Sequence, residues 1–380
     1  MSAIAITGAS GFVAANLRVR LQELGYADIR PIKHTADDAA IRSALSGVST
    51  IFHLAGVNRP ENPTDFEGGN AGFTSRLCAL AADAAPGAAI IFSSSTQAAL
   101  DNPYGRSKKA AENVLLGHGK ATGADVTIFR LTNVFGKWSR PNYNSAVATF
   151  CHNIARDLPI TVNAPDAALN LVYIDDVVSA LVTQIDHTTR TVGFAEAGPV
   201  YATTVGEVAR MIERFRVGRQ SLVTERVGTG LVRALYSTYV AALPPERFSY
   251  AVPMHSDPRG TFVEMLKTPD CGQFSFFTAH PGVTRGEHYH HSKTEKFLVI
   301  SGKAEFGFRH IATGQTHRIE TSGERAEIVE TVPGWTHNIT NIGDDLMVVM
   351  LWANEIFDRD NPDTIGLKVG PLDINEARDA

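Results

Sequence analysis

Cysteine is scarce in this chain. Three residues, Cys78, Cys151 and Cys271, are scattered over 380 positions with no paired spacing, which argues against a disulfide framework and for a reducing cytosol. A surplus of one charge is also missing: 35 basic and 40 acidic residues leave a net charge of -5. That balance leaves no electrostatic footprint for nucleic acid or for an anionic membrane surface. No apolar run approaches the ~20 residues a membrane span requires. Met1–Ile6 has no basic start, so it does not read as a secretory signal. Internal repeats and low-complexity tracts are absent as well. What remains is ordinary globular composition, 44% hydrophobic and 20% charged, in a chain long enough for two domains.

The two halves differ in texture. Ala3–Thr7, Ile29–Lys33, Thr50–Leu54, Ala89–Ser93 and Val126–Leu131 are short apolar runs of buried-strand type, with helical patterns such as Phe12–Leu24 and Arg106–Leu116 between them. This alternation predicts βαβ units and a doubly wound parallel sheet, an α/β domain. The stretch 203–240 reads as helical, either finishing that domain or bridging to the next. From Pro244-Pro245 onward, turn pairs such as Arg259-Gly260, Pro281-Gly282, Ser301-Gly302 and Pro333-Gly334 punctuate short runs rich in Phe, Val and Ile, the pattern of an all-β sandwich or barrel. The expected domains are 1–245 and 246–380.

Directly after the first strand comes Gly8-Ala9-Ser10-Gly11-Phe12-Val13-Ala14, running into a helix. The first glycine permits a tight strand-to-helix turn. The second lets backbone approach a pyrophosphate at the positive helix end, and small Ala14 takes the third position. The second strand ends at Lys33-His34 with no carboxylate to hold a ribose 2′-hydroxyl. Cations there suit a 2′-phosphate, so NADPH is the expected cofactor.

These residues, with His53-Leu54-Ala55-Gly56, Ser93-Ser94-Ser95, Tyr104-Gly105-Arg106-Ser107-Lys108, Asn133-Val134-Phe135-Gly136 and Tyr173-Ile174-Asp175-Asp176-Val177, resemble the extended short-chain dehydrogenase/reductase family. The likeness covers about 1–240 and implies a Rossmann-type fold. It also implies a cofactor site of Gly8, Ser10, Gly11, Phe12, Val13, Lys33, His34, Leu54, Ala55 and Gly56, joined by Tyr104 and Lys108. Four residues apart on a helix, Tyr104 and Lys108 share one face. The ammonium lowers the phenol's pKa, and Tyr104 acts as general acid when a ketone is reduced. Ser95 matches the family's catalytic serine position best. Its gap to Tyr104 is shorter than in most members, which leaves Ser94 and Thr96 as alternatives.

The second half carries Gly282, His288-Tyr289-His290, Glu295 and Gly302, then Pro333-Gly334-Trp335-Thr336-His337 and Asn341. Residues two apart on a strand point to one side, so His288 and His290 converge, with Glu295 and His337 expected from neighbouring strands. Three imidazoles and a carboxylate suit a divalent transition metal such as zinc. His291 points the other way by alternation. The intervals match both motifs of the cupins and imply a jelly-roll barrel. Asp257-x-Arg259-Gly260-x-Phe262-x-Glu264 and Arg285-Gly286-Glu287-His288-Tyr289 also resemble the metal-free dTDP-sugar 3,5-epimerases, where the histidine at the place of His288 is the base. Ligand and base therefore both stand open for His288.

Taken together, the chain resembles the CapF-type bifunctional enzymes of capsular polysaccharide and O-antigen precursor synthesis. The likeness is carried by His53-Leu54-Ala55-Gly56-Val57-Asn58-Arg59-Pro60, Phe135-Gly136-Lys137-Trp138, Pro141-Asn142-Tyr143-Asn144-Ser145 and Glu295-Lys296-Phe297-Leu298-Val299, among others. The resemblance implies C3 epimerisation of a UDP-linked 4-keto-6-deoxy amino sugar in the cupin. Reduction of its C4 ketone with NADPH in the front domain then leads toward a 6-deoxy-L-talosamine or L-fucosamine-type product. It implies a cytoplasmic homodimer or larger homo-oligomer. Two rivals remain: a single-activity reductase whose cupin is structural or binds sugar, and a nucleotide-sensing regulator on a degenerate reductase fold.

Overall fold

The computed structural model describes residues 3–60, 62, 65–185, 190–253, 255–257, 260–262, 266, 272–355 and 360–370. The chain forms two compact units, Met1–Val134 with Asn170–Ala202, and Phe135–Leu169 with Thr203–Ala380. The segments 135–169 and 203–245, which sequence alone placed in the front domain, thus belong to the unit that holds the barrel.

The first unit is built on six parallel strands: β1 (Ala3–Thr7), β2 (Ile29–Ile32), β3 (Val48–His53), β4 (Ala89–Ser95), β5 (Val126–Leu131) and β6 (Val192–Ala195), in the order β2-β1-β3-β4-β5-β6. Ile4, Ile6, Ile51, Phe52, Ile90, Phe92, Ile128 and Phe129 are almost completely buried, as expected of a sheet covered on both faces. Helices α1 (Phe12–Glu23), α2 (Asp38–Leu45), α3 (Phe73–Ala84) and α4 (Pro103–Thr122) connect the strands. A helix at Ile174–Val182 packs with α1, while α3 packs against both α2 and α4. Winding reverses between β1 and β3, and the crevice at such a switch point is where doubly wound sheets bind ligands. The predicted strands are all present with small shifts at their ends. Helix α4 is longer than the expected Arg106–Leu116: the Asn102 side chain accepts from Gly105 N at 2.7 Å, Pro103 occupies the first turn, and Gly123 closes the far end at φ 80°.

The second unit contains two five-stranded antiparallel sheets. One joins β7 (Ser249–Ala251), β13 (Glu327–Glu330), β10 (Glu295–Ser301), β15 (Met347–Ala353) and β8 (Gln273–Ala279), in that order. The other joins β12 (Thr316–Ser322), β11 (Lys303–His310), β14 (Trp335–Asn341), β9 (Thr284–Tyr289) and β16 (Ile365–Gly366). Phe306, Phe308, Val349 and Trp352 are buried within this unit, matching the expected all-β jelly roll. The helices Val205–Ser221 and Gly230–Ala241 pack on each other here. They bring Arg219 to Glu330, whose carboxylate also takes the buried Lys296, so these charges are paired rather than stranded. The epimerase-like segment has a short hairpin, His255–Asp257 with Gly260–Phe262. Pro258, Arg259 and Glu264, like Cys271, lie outside the described residues.

Candidate active site and candidate metal centre

Gly8 follows β1 at φ 67°, and a Cβ there would lie 2.8 Å from Ala55 Cα, so a side chain would force apart the crevice between β1 and β3. The crevice is cross-linked from below. The Thr7 hydroxyl accepts from Leu54 N and Ala55 N at 3.1 Å and meets His53 Nδ1 at 2.8 Å. His53 Nε2 meets the Thr74 hydroxyl at 2.9 Å. Burial, aided by the Lys108 charge, pushes His53 down to about 3, so it stays neutral. The N-terminus of α1 carries no side-chain cap and no acidic residue in its first turn, which leaves its amides and dipole for an anionic ligand. Ser10 and Gly11 are exposed there, Phe12 and Val13 half-buried, and Lys33 and His34 are exposed just past the end of β2.

Opposite stands the first turn of α4. The Tyr104 phenol lies near the Ser95 side chain, and its ring meets Phe66 at 5.6 Å between centroids. Burial raises the Tyr104 pKa rather than the Lys108 ammonium lowering it, and Ser95 opposes that rise. One turn on, Lys108 is buried and donates to the Ser93 carbonyl at 3.0 Å. Burial pulls Lys108 down to about 8 while the Glu112 charge holds it up. Of the three candidate hydroxyls, Ser95 is the one that acts on the phenol, Ser94 is buried against Glu112 at 2.7 Å, and Thr96 is exposed in the following turn. A Cβ on Gly56 would sit 2.9 Å from Lys108 Nζ and 3.1 Å from Asn70 Oδ1. Asn70, on the π-helical turn Glu67–Gly72, in turn bonds Val57 through both its amide atoms and donates to Ser107.

In the barrel, the ligand atoms of His288, His290, Glu295 and His337 all lie within 4.8 Å of one another. His288 and His337 face each other in register on β9 and β14. Glu295 does not come from a strand neighbouring these, as expected from the sequence, but from β10 in the facing sheet. His290 lies one residue past β9, so strand alternation is not what turns it inward. Its Nδ1–H instead donates to the Asp363 carbonyl, which frees Nε2 to stand 3.2 Å from Glu295 Oε2. A bulge at Glu287, with φ 60°, reorients the strand just before His288. Burial, then the charges of His337 and His290, push His288 down to about 4. Burial is the largest single effect on Glu295 and raises it, but the imidazoles and Lys293 together hold it well below the ordinary range.

This donor set fits a divalent cation. His337 is buried, neither ring nitrogen has a hydrogen-bond partner, and Nε2 stands 3.6 Å from Glu295 Oε2. An orphaned imidazole beside a carboxylate and two further imidazoles is an N/O donor set of the kind divalent transition metals take. His291 lies outside the cluster and meets the Tyr289 ring edge-to-face, 5.6 Å between centroids.

Sequence reading missed three groups. Asp363 accepts from His291 N, Ser292 N, Ser292 Oγ and Lys293 N at 2.7–3.0 Å, clamping the turn that joins His290 to Glu295. Asn70 and Glu112 back the Tyr104–Lys108 pair. The spacing of Lys108 and Glu112 at i and i+4 was the available signal for Glu112; Asp363 has none, being far away in the chain.

Residues 4–193 match the NAD dependent epimerase/dehydratase family, and residues 255–365 match the polysaccharide biosynthesis C-terminal domain. The chain is 58% identical to the UDP-2-acetamido-2,6-beta-L-arabino-hexul-4-ose reductase of Pseudomonas aeruginosa, over 97% of this chain and 99% of the relative. It is similar to the crystal structure of the capsular polysaccharide assembling protein CapF of Staphylococcus aureus, with a TM-score of 0.66, 40% identity, and coverage of 96% and 99% of the two chains. A structure of CapF with the inhibitor 3-isopropenyl-tropolone aligns with a TM-score of 0.60 and 36% identity, over 96% of this chain and 99% of that one. The chain belongs to the NAD dependent epimerase/dehydratase family, in the CapF-type group that carries the polysaccharide biosynthesis C-terminal domain.

Proposed function

We propose that this chain is a bifunctional nucleotide-sugar enzyme. The barrel epimerises C3 of a UDP-linked 2-acetamido-2,6-dideoxy-4-hexulose. The first unit then reduces the C4 ketone with NADPH, toward a 6-deoxy-L-talosamine or L-fucosamine-type precursor of capsule or O-antigen. The observation that carries the reading is the Tyr104 phenol beside Ser95, one helical turn from buried Lys108 that bonds the Ser93 carbonyl, beside the β1/β3 crevice. The name of the relative from Pseudomonas aeruginosa supports the substrate class.

In this reading Gly8, Ser10, Gly11, Phe12 and Val13 hold the pyrophosphate, and Leu54, Ala55 and Gly56 line the crevice. Lys33 and His34 neutralise the 2′-phosphate. NADPH, when bound, supplies the hydride for C4. Ser95 and Tyr104 hydrogen-bond the ketone oxygen, and Tyr104 gives it the proton. Charged Lys108 offsets the cost of phenolate formation and holds the nicotinamide ribose. Equal affinity of the wild-type chain for NADH and NADPH would remove Lys33 and His34 from their role.

The C3 proton is acidic because it adjoins the C4 carbonyl. A base removes it, an enolate forms, and reprotonation on the other face inverts C3. His288, His290, Glu295 and His337 would hold the divalent metal, zinc in this reading, whose chemistry is Lewis-acid stabilisation of negative charge on oxygen. His288 is the least buried of the four, so it is the one placed to serve as base if it leaves the ligand set.

One observation favours a narrower reading, a single-activity reductase with a structural or sugar-binding barrel: the relative's name states a reductase alone. Incubating the protein with the 4-keto sugar nucleotide in deuterated water, with and without NADPH, separates them. Deuterium at C3 without NADPH, and oxidation of NADPH when it is present, are the expected results. NADPH oxidation with no C3 exchange leaves the narrower reading, and no oxidation at all removes both.

A further inference from the structure

Three consecutive residues of β4 engage three residues on one stripe of α4. Ser95 acts on the Tyr104 phenol, the Ser93 carbonyl accepts from Lys108, and the Ser94 hydroxyl donates to Glu112. Positions 104, 108 and 112 lie at i, i+4 and i+8, one above another on a helix. The third rung is more heavily built than the first two. Glu112 is 0% exposed. Arg130 Nε and Nη2 reach its two oxygens at 2.8 and 2.7 Å, a bidentate pair. Arg130 lies directly opposite Ser94 in the β4–β5 register, so neighbouring strands deliver both partners to one carboxylate. The Arg130 guanidinium is itself backed by the Phe194 ring at 4.6 Å.

A leucine at 112 would dock the helix as well. Buried ion pairs are often no more stabilising than well-packed apolar groups of similar volume. Docking alone therefore does not explain a carboxylate at this place, and its neighbour one turn back does. The groups facing Lys108 are Tyr104 and Glu112 from its own helix, the Ser93 carbonyl and the Phe92 ring at 4.9 Å from β4, His53 from β3, and Asn70 beyond Gly56. Of these, Glu112 alone carries a negative charge.

We propose that Glu112 is a positioning residue for reduction: held by Ser94 and Arg130, it fixes the rotation of α4 against β4 and supplies the charge that keeps Lys108 an ammonium. This rests on the reductase reading above. The sign of the effect follows from the surroundings. Burial lowers Lys108 to about 8, and Glu112 opposes that fall. Removing the carboxylate charge leaves burial unopposed and also unmasks Arg130 and Lys109, which stands 3.5 Å from Glu112. Both changes lower the Lys108 pKa further, so the alkaline loss of activity moves to lower pH.

The test follows Glu112→Gln, Glu112→Asp and Ser94→Ala across pH, with two readouts on the full chain. One is the rate of NADPH-dependent reduction of the 4-keto sugar nucleotide, and the other is NADPH binding by cofactor fluorescence. Glu112→Gln should move the alkaline limb of both down by about one pH unit. Glu112→Asp, which keeps the charge, should restore the limb. Ser94→Ala should leave the limb in place and lower the rate a few-fold. A folded Glu112→Gln protein with the wild-type limb overturns the inference. Should that variant not fold, Glu112→Gln with Arg130→Gln leaves no guanidinium without its carboxylate and carries the same expected direction, since Glu112 is the charge that acts on Lys108; an unmoved limb there overturns it equally. If the wild-type chain binds NADPH but reduces no sugar, the functional reading fails, and the binding limb alone decides the role of Glu112.

Discussion

The two candidate sites are built on opposite principles of polar satisfaction. In the first unit each buried polar group near the catalytic pair has its partner within the protein. Lys108 has the Ser93 carbonyl, Glu112 has Ser94 and Arg130, Asn70 has Val57 and Ser107, and His53 has Thr7 and Thr74. In the barrel, buried His337 has no hydrogen-bond partner on either ring nitrogen, while His290 and Glu295 are aimed into the same small space. A buried unsatisfied donor or acceptor costs roughly 1–3 kcal/mol. The first site is thus stable as it stands and needs its ligand for chemistry. The second offers a reason for its cost only if something electropositive joins the imidazoles and the carboxylate. Metal removal should therefore be felt by the second unit and not by the first.

The sharpest way to break this comparison is to delete two ligands at once. His290→Ala with His337→Ala should abolish stoichiometric metal binding and C3 exchange in deuterated water, and should lower the barrel's melting temperature, because binding energy to the folded state is folding energy. NADPH binding should be unchanged. Metal analysis, calorimetry and exchange on one sample decide it: C3 exchange persisting in a metal-free protein would return His288 to the role of base. Next in size is Tyr104→Phe. Loss of the general acid should reduce NADPH oxidation by ~10²-fold or more, with C3 exchange preserved. If both activities fell together, the independence of the two sites would be lost.

The sites were also unequally legible in the sequence. The first is local: Ser95, Tyr104 and Lys108 sit on one strand and the helix that follows it, so a period of 3.6 and a glycine turn suffice to find them. Even there the start of α4 was misplaced toward Arg106. Asn102 and Pro103 are standard start signals, but Gly105 in the first turn weakens the helical pattern. Gly105 is needed because a Cβ would lie 2.3 Å from the Gln97 carbonyl oxygen. In the barrel, spacing gave the four ligand residues but not their origin. Whether Glu295 pairs beside His288 or faces it from the other sheet depends on register between strands distant in sequence. Strand alternation also gave the wrong reason for His290, whose orientation comes from the Asp363 carbonyl. No spacing rule connects residue 363 to residue 290.

A third test probes that missed group. Asp363→Ala removes the acceptor of four hydrogen bonds that shape the turn from His290 to Lys293. Loss of such support beneath a metal ligand typically costs 10–100-fold in metal affinity. A chelator competition titration should show a loss in that range, with C3 exchange falling in parallel and NADPH binding unaffected. Wild-type affinity would mean that the turn is held by its own packing.

The smallest expected effect lies at the matching element of the first site. Asn102 caps α4 with one hydrogen bond, to Gly105 N, and Asn102→Ala should cost about 1 kcal/mol. The loss should stay local. Gly105 is wedged against the Gln97 and Leu100 carbonyls, and the Lys108 and Glu112 rungs lie one and two turns beyond the cap. What the variant loosens is the first turn, and with it the hold of Ser95 on Tyr104. Reduction should therefore fall by a factor of a few, with the alkaline limb unmoved because Lys108 and Glu112 keep their partners. Asn102→Asp, another good cap, should recover most of the loss. If Asn102→Ala instead cost as much as Tyr104→Phe, the helix start would be the main determinant of the phenol's position, and the three-rung contact with β4 would not be holding it.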